Sequence, residues 1–254
     1  MIPEVLRSFH ARHAGGSDQV FGRCRVADGR TSYDWLADEA DGTSVLDLAC
    51  GDGPLAVRIA DRYPGAEVVG LDGSEAELAA ALQRGHPRVR FVHGYAQELP
   101  FADGAFDRVV SHMALMLMDR FDDVMAEIRR VLRPGGTLSA VVGGKSEADE
   151  LQRGFFRELQ RVRSAPMVLG DARTHDEDGW RGLLAGWSDL RFDEQQLRVE
   201  VPADEAWDFL VVSYYPVDAL TPDAKAELRS WLTGALGNRP LRWAFGARRV
   251  TATR

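Results

Sequence analysis

The residues best suited to bind a ligand form a glycine turn between an apolar run and a helical pattern. The run Val45–Leu48 predicts a strand buried on both faces, and Gly51 and Gly53 follow it. A helical pattern then begins at Pro54, a residue favoured at the first helical position. Glycines allow the backbone to approach a ligand closely, and free N–H groups at a helix N-terminus bind anions. The turn therefore predicts a site for a phosphate or a carboxylate.

A carboxylate at the end of the next predicted strand indicates what accompanies that anion. The run Glu67–Leu71 predicts a second strand that ends in Asp72. A carboxylate about 20 residues beyond such a glycine turn can accept hydrogen bonds from the hydroxyls of a ribose. Ser74 and Glu77 have the spacing of a capping box, which predicts a helix directly after the strand. We therefore expect a nucleoside with an anionic group near the glycines.

The glycine spacing differs from that of dinucleotide-binding proteins. It reads D-x-A-x-G-x-G, with Asp47, Ala49, Gly51 and Gly53 at the four named positions. In the dinucleotide fingerprint G-x-G-x-x-G a further glycine follows, where this chain has Ala56 after Leu55. An NAD(P)-dependent oxidoreductase is therefore the last of the three functions that we consider for this chain.

Four sequence blocks, in this order, resemble the class I S-adenosylmethionine-dependent methyltransferases. They resemble most the small-molecule branch that includes the ubiquinone and menaquinone biosynthesis methyltransferases. The blocks are VLDLACGDG (45–53), VVGLDGSEAEL (68–78), VHGYAQELPFADGAFDRVVS (92–111) and LRPGGTLSAVV (132–142). The resemblance implies an α/β, Rossmann-like fold: a seven-stranded, mostly parallel sheet with helices on both faces and an antiparallel last strand.

The resemblance implies that S-adenosylmethionine is the cofactor and S-adenosylhomocysteine the product. It places the methionine part near the glycine turn, the ribose on Asp72 and the adenine near residues 95 to 97. The family usually has Asp where this chain has Tyr95, so the adenine contacts are open: Tyr95 could stack or accept, Gln97 could accept, and Ala96 could donate its N–H. The candidate cofactor-binding residues are Asp47, Ala49, Gly51, Gly53, Asp72, Gly73, Tyr95, Ala96, Gln97, Ser111 and Tyr33.

His112 is the first candidate for a catalytic base. It follows the predicted fourth strand, and open parallel sheets bind ligands at the carboxyl ends of their strands. Histidine accepts a proton near neutral pH, although His112 could also only pack against the cofactor. His10 and His13, three residues apart on a predicted helix, are the next candidates, with a surface position as the alternative. The candidate substrate contacts are Met113, Tyr214 and Tyr215.

We interpret residues 1–254 as a single domain. Residues 1–40 predict a helical N-terminal cover, with helices at 3–14 and 31–40 around an irregular stretch, and 43–145 predict the cofactor-binding core. Residues 146–222 predict a substrate-side cover with late core elements, and 223–254 predict the last helix and strand.

Composition excludes several other classes of protein. The net charge of −8 and the pI near 5.3 argue against a nucleic-acid partner. The sequence has no apolar run of about 18 residues, so we expect no membrane span, and its start does not resemble a signal peptide. Cys24 and Cys50 form neither a disulfide framework nor a metal-ligand pattern, so we expect no metal and a cytoplasmic location.

These observations predict methyl transfer from S-adenosylmethionine to a small organic molecule. O- or C-methylation is favoured over N-methylation, because the chain lacks the Asn-Pro-Pro-Tyr motif that marks amide and base nitrogens as acceptors in related enzymes. The alternative is a cofactor-binding protein of this fold that acts as a cyclase or a non-catalytic subunit, since a fold does not fix the chemistry. The acceptor and the oligomeric state stay open.

Overall fold

Seven strands form one sheet in a computed structural model that describes residues 4–164 and 169–254. The strands are β1 (Ser44–Leu48), β2 (Glu67–Asp72), β3 (Val89–His93), β4 (Phe106–His112), β5 (Leu132–Gly144), β6 (Ser188–Val201) and β7 (Leu241–Thr253). Their order is β3-β2-β1-β4-β5-β7-β6. Strands β1 to β5 are parallel, and β7 is antiparallel to β5 and β6. The predicted fold class is confirmed.

Helices connect the strands and extend the chain at its N-terminus. They are α1 (Glu4–Arg12), α2 (Gly16–Phe21), α3 (Ser32–Ala37), α4 (Pro54–Arg62), α5 (Glu75–Arg84), α6 (Phe121–Val131), α7 (Glu150–Val162), α8 (Glu177–Leu183), α9 (Ala206–Ser213), α10 (Tyr215–Asp218) and α11 (Pro222–Leu236). Short 3-10 turns span Leu115–Leu117 and Ala172–Thr174. Helix α2 lies in the stretch that was predicted to be irregular. Few apolar residues mark it, so its stability comes from packing on α9 rather than from its own pattern.

Alternating side chains in the sheet supply two cores, one on each face. In β1, Val45 packs on the face covered by α3, α4, α7 and α11, whereas Leu46 and Leu48 pack on the face covered by α6 and α8. Both clusters consist of buried apolar side chains. The described helices therefore cover both faces of the sheet, which leaves the ends of its strands for ligands.

The strand order creates a crevice between β1 and β4. The chain leaves β1 through α4 toward β2 on one side, whereas β4 pairs with β1 on the other side. Ligands of open α/β sheets bind at such a switch point, outside the carboxyl ends of the strands. Val110 of β4 lies beside Asp47 of β1, so the segments after these two strands face each other at the same edge.

The predicted covers differ in how much they contribute to this edge. Helix α1 contacts α5 and α10, and Leu6, His10 and Ser17 reach the crevice. From residues 146–222, Tyr215 is the described residue that reaches it, because α7 packs against α11 and β6 forms the far edge of the sheet. Residues 1–3 and 165–168, which belong to the predicted covers, lie outside the described residues. None of the helices described is long and apolar enough to cross a membrane.

Candidate active site

A cleft of about 800 Å³, including space open to solvent, lies at the carboxyl ends of β1, β2 and β4. Of the residues predicted from sequence, it is lined by His10, Ala49, Gly51, Asp72, Gly73, Tyr95, Ala96, Gln97, His112, Met113 and Tyr215. The fold thus brings candidates from six separate segments of the chain to one place.

Asp72 lies at the end of β2 and holds the glycine turn in place. Its Oδ2 accepts a hydrogen bond from the backbone N–H of Gly51 at 2.8 Å, and its Oδ1 accepts one from the N–H of Ser74 at 2.8 Å. Burial raises the pKa of Asp72, although these two N–H groups act in the opposite direction. Each carboxylate oxygen has a second lone pair, so Asp72 can still accept hydrogen bonds from a vicinal diol in the cleft.

The backbone of the glycine turn is held in left-handed conformations. Gly51 has φ of 55°, and Ala49 has φ of 58°, a region that costs a non-glycine residue about 1–2 kcal/mol. Met113, at the end of β4, has φ of 53°. Ala49 and Met113 thus line the cleft at the ends of the adjacent strands β1 and β4. Strained backbone of this kind is often found at ligand-binding sites in proteins.

Gly53 has a packing role rather than a place in the cleft. A Cβ atom at this position would lie 2.7 Å from the ring of Phe91, so only glycine allows α4 to start this close to β3. Its φ of 81° also requires glycine. Asp47 likewise lies beneath the turn rather than in the cleft, on the α4 side of the sheet and 1% exposed. Burial raises its pKa to about 8, although the N–H of Ala56 acts against that shift.

Tyr95, Ala96 and Gln97 form the end of the cleft beyond Asp72. Tyr95 is 42% exposed, and its ring packs edge-on against His93 with centroids 5.6 Å apart. The side chain of Gln97 donates a hydrogen bond to Asp119 Oδ1 at 2.9 Å, and Asp119 also lines the cleft. This end therefore offers an aromatic face and a carboxylate, as a purine with an exocyclic amino group requires.

His112 lines the cleft and is half-buried among aromatic neighbours. Its Nε2 and Ser32 Oγ are hydrogen-bonded at 2.8 Å, and its ring lies 4.2 Å from that of Tyr33 and 5.2 Å from that of Phe21. Burial, assisted by the charge of Arg58, lowers the pKa of His112 to about 3. The imidazole is therefore neutral at pH 7 and free to accept a proton, but it is a weak base.

His10 reaches the cleft and His13 does not. His10 Nδ1 is hydrogen-bonded to Glu77 Oε1 at 2.8 Å, and this bond connects α1 to α5 beside the glycine turn. His13 Nε2 instead contacts Asp218 Oδ1 at 3.1 Å, and Arg12 also donates to Asp218. Two histidines predicted to share one helix face therefore contact two different helices: His10 of α1 contacts α5, and His13, just after α1, contacts α10.

The predicted capping box at Ser74 is only half formed. Ser74 Oγ accepts a hydrogen bond from the N–H of Glu77 at 3.4 Å, but the Glu77 carboxylate turns toward His10 and Gly15. The N–H of Ser74 donates to Asp72 instead. The spacing of Ser74 and Glu77 predicted the start of the helix correctly. It predicted the wrong partner for the Glu77 carboxylate, because groups distant in sequence bind that carboxylate instead.

Three further candidates lie behind the wall of the cleft. Ser111 Oγ donates to the carbonyl oxygen of Leu48 at 2.8 Å and links β4 to β1. Tyr33 is 2% exposed and supports His112 from behind. Tyr214, predicted to contact substrate, packs on Phe245 and accepts a hydrogen bond from Trp243 Nε1 at 2.8 Å. None of the three is among the described residues that line the cleft, so their predicted contacts with ligand are not supported.

The sequence interpretation missed several residues that line the cleft. They are Leu6, Ser17, Leu48, Leu71, Gly94, Ala114, Leu117, Met118 and Asp119. Leu117 and Met118 lie in and just after the 3-10 turn that follows His112. Their position after a strand at the ligand-binding edge was the available signal, but an apolar residue there reads equally well as core.

Comparison with known proteins identifies the kind of domain. A family model described as a methyltransferase domain matches residues 45–136, from β1 to the start of β5. The ubiquinone/menaquinone biosynthesis C-methyltransferase UbiE of Paracoccus denitrificans is 36% identical over 168 residues, which are 64% of this chain and 65% of that protein. Residues 45–136 of this chain are therefore similar to a methyltransferase domain. The family match, together with the solved structures of Haemonchus contortus phosphoethanolamine N-methyltransferase 2 with S-adenosyl-L-methionine and S-adenosylhomocysteine, supports the expected cofactor.

Solved structures share the fold of the methyltransferase domain. A structure from Anaeromyxobacter dehalogenans, described as a type II methyltransferase, superposes with a TM-score of 0.64 at 24% identity and covers 91% of this chain and 97% of its own. The 4+2 cyclase SpnF superposes with a TM-score of 0.62 at 20% identity and covers 100% and 97%. At these identities the likeness establishes the fold and leaves the chemistry open.

The matched region limits what the relatives say about the chain. It spans about 65% of the length of the Paracoccus relative and includes the methyltransferase domain. The groups that line the cleft fit the cofactor: the Asp72 carboxylate can accept hydrogen bonds from a diol, Tyr95 offers an aromatic face, and the backbone at Gly51 is left-handed. The described residues that line the cleft include no Lys or Arg, as suits a ligand with a positively charged sulfonium.

Proposed function

We propose that this protein transfers the methyl group of S-adenosylmethionine to a small, uncharged organic molecule, at oxygen or carbon rather than at nitrogen. The observation that carries the proposal is the convergence of Asp72, the glycine turn and His112 in one cleft. In this arrangement Asp72 binds the ribose, the turn binds the methionine part, and residues 95 to 97 receive the adenine. The sulfonium methyl then points toward His112 and Met113.

The lining of the cleft supports an uncharged acceptor. Its lining includes the side chains of Leu6, Met113, Leu117, Met118 and Tyr215. No Lys or Arg is found among the cleft-lining residues in the described part of the chain, so an acceptor with several carboxylates or a phosphate would bury its charges unpaired. The C-methyltransferase UbiE among the relatives favours carbon as the acceptor atom.

Transfer is an in-line displacement in which the acceptor attacks the methyl carbon as the thioether leaves. The protein contributes mainly by positioning, which can supply about 7–11 kcal/mol of the barrier when the reacting atoms are held close and aligned. His112, neutral because burial lowers its pKa to about 3, can accept the acceptor's proton, but only from an acidic group. An enolic or phenolic acceptor, already acidic, fits this weak base better than an aliphatic alcohol.

Cyclisation without methyl transfer is the alternative function. The cyclase SpnF has this fold, and the half-buried, weakly basic His112 suits a reaction without proton transfer. In that case the acceptor pocket would hold a substrate for ring closure, and the cofactor would serve as a structural ligand.

Labelled cofactor distinguishes these functions. The protein is incubated with S-adenosylmethionine labelled on the methyl group and a panel of neutral phenols and enols, with di- and tricarboxylates as controls. The proposal predicts label in a neutral product together with release of S-adenosylhomocysteine. Turnover only of a polycarboxylate would contradict the acceptor class, and preferential binding of NAD would contradict the cofactor assignment.

A further inference from the structure

Glu77 is a buried carboxylate that methyl transfer itself leaves without a role. It is not itself among the cleft-lining residues, but it lies directly behind two that are, His10 and Gly51. It lies in the first turn of α5 and is 1% exposed. Its Oε1 is bound to His10 Nδ1 at 2.8 Å, and its Oε2 accepts the backbone N–H of Gly15 at 3.0 Å. Glu77 thus holds both the end of α1 and the start of α2, the elements that cover the cleft.

The same carboxylate lies beside the glycine turn. A Cβ atom at Gly51 would lie 3.9 Å from Glu77 Oε2, and the N–H of Gly51 donates to Asp72 Oδ2 at 2.8 Å. Asp72 and Glu77 therefore both lie close to Gly51. With the adenosine on Asp72 and residues 95 to 97, the amino-acid part of the cofactor extends toward Glu77.

The charge of Glu77 calls for a cationic partner. Among the described residues its one ion-pair partner is His10, which is charged only when protonated. Arg84, the nearest fixed cation of α5, instead binds Asp52 and Asp18. A buried carboxylate is costly unless a charge and hydrogen bonds compensate it, and each oxygen of Glu77 has a lone pair left after its present bond.

We infer that Glu77 binds the α-ammonium group of the cofactor's methionine part and, through the same carboxylate, couples cofactor binding to closure of the N-terminal cover. The inference rests on the proposed function, because it takes the cofactor's position from it. The ammonium neutralises the carboxylate that holds His10 and Gly15, so the cover and the ligand stabilise each other.

A ligand pair isolates the ammonium contact. S-adenosylhomocysteine contains the amino-acid part, whereas 5′-methylthioadenosine keeps the adenosine and the thioether sulfur but lacks that part. Glu77→Gln removes the charge with little change of shape. Glu75→Gln is the matched control, because Glu75 lies in the same first turn of α5 but is exposed to solvent, whereas Glu77 is buried.

Calorimetry should give a selective loss of affinity. We expect Glu77→Gln to raise the Kd of S-adenosylhomocysteine about 10- to 100-fold, the range of a lost charge-assisted hydrogen bond, and to change that of methylthioadenosine less than threefold. Glu75→Gln should leave both unchanged. S-adenosylhomocysteine should also slow tryptic cleavage within α1 in wild type and Glu75→Gln, but not in Glu77→Gln.

The possible failures are distinguishable. If wild type binds neither ligand, the proposed function fails. If Glu77→Gln weakens both ligands equally, or neither, the ammonium contact is refuted. Equal protection of α1 in Glu77→Gln and wild type refutes the coupling. Should Glu77→Gln not fold, Glu77→Asp, which withdraws the charge by one methylene, must still lower affinity for S-adenosylhomocysteine selectively.

Discussion

Replacing Asp72 by alanine separates its two roles, anchoring the glycine turn and binding the ribose. In the free protein the carboxylate holds the N–H groups of Gly51 and Ser74, each at 2.8 Å. Their loss is offset in part because the variant no longer buries a carboxylate whose pKa is raised by burial. We therefore expect the free energy of unfolding to fall by only about 1–3 kcal/mol, less than two full charge-assisted hydrogen bonds would give.

Asp72→Ala should also lower the affinity for the cofactor, through the loss of the hydrogen bonds to the ribose. The ribose hydroxyls are neutral, and water can replace the missing carboxylate, so the net loss should be about 1.5–3 kcal/mol. That corresponds to a Kd for S-adenosylhomocysteine about 10- to 150-fold higher, measurable by calorimetry on the folded variant. A Kd within threefold of wild type would refute the ribose assignment.

Asp107→Ala is the matched control, at the opposite edge of the same sheet. Asp107 is also buried and accepts the N–H groups of Thr43 and Ser44 at 2.8 and 3.1 Å. Although burial raises its pKa, these bonds and Arg133 keep the pKa of Asp107 below its usual range. Its carboxylate is thus a net stabiliser, so this variant should lose more stability than Asp72→Ala and yet, as far as it folds, bind S-adenosylhomocysteine unchanged.

Four further outcomes follow from the site. His112→Gln should lower turnover about 10²–10⁴-fold if His112 is the base, and a drop in turnover under threefold would mean that His112 only lines the pocket. The turnover of wild type should show no acidic limb between pH 6 and 9, because the pKa of His112 lies at about 3. In ligand-free wild type, burial raises the pKa of Asp47 to about 8, so the free energy of unfolding should fall as pH rises toward 8. Asp47→Asn should make this fall smaller when unfolding by urea is measured at pH 5 to 9. Wild type and variant losing stability equally with pH would contradict the expectation. Ala49→Gly should raise the free energy of unfolding by about 0.5–1 kcal/mol, since φ of 58° strains alanine; a lower thermal midpoint would argue against this strain. Tyr95→Phe should keep the Kd for S-adenosylhomocysteine if the ring stacks on adenine, whereas Tyr95→Ala should raise it; a loss in Tyr95→Phe would assign the contact to the hydroxyl.

Local pattern was sufficient for the elements that build the cofactor edge. The sequence predicted that β2 ends at Asp72. It also predicted a last helix and a last strand within residues 223–254, where most of α11 (Pro222–Leu236) and all of β7 (Leu241–Thr253) lie. These elements have clear alternation, proline starts or capping residues, which act within a few residues of chain. The glycine turn and Asp72 were predicted together for the same reason, because a strand, a turn and a helix N-terminus are all local features.

Only the tertiary structure decided what each candidate side chain contacts. Tyr214 and Tyr215 are adjacent in sequence, yet Tyr215 lines the cleft and Tyr214 binds Trp243 in the core. The spacing of Glu77 matched a capping box, but His10 and Gly15, more than 60 residues away, hold its carboxylate. His112 was placed correctly at the end of β4, whereas its low pKa comes from burial and from the charge of Arg58. The direction of a side chain and its exposure to water depend on elements packed from elsewhere in the chain, and no local spacing encodes them.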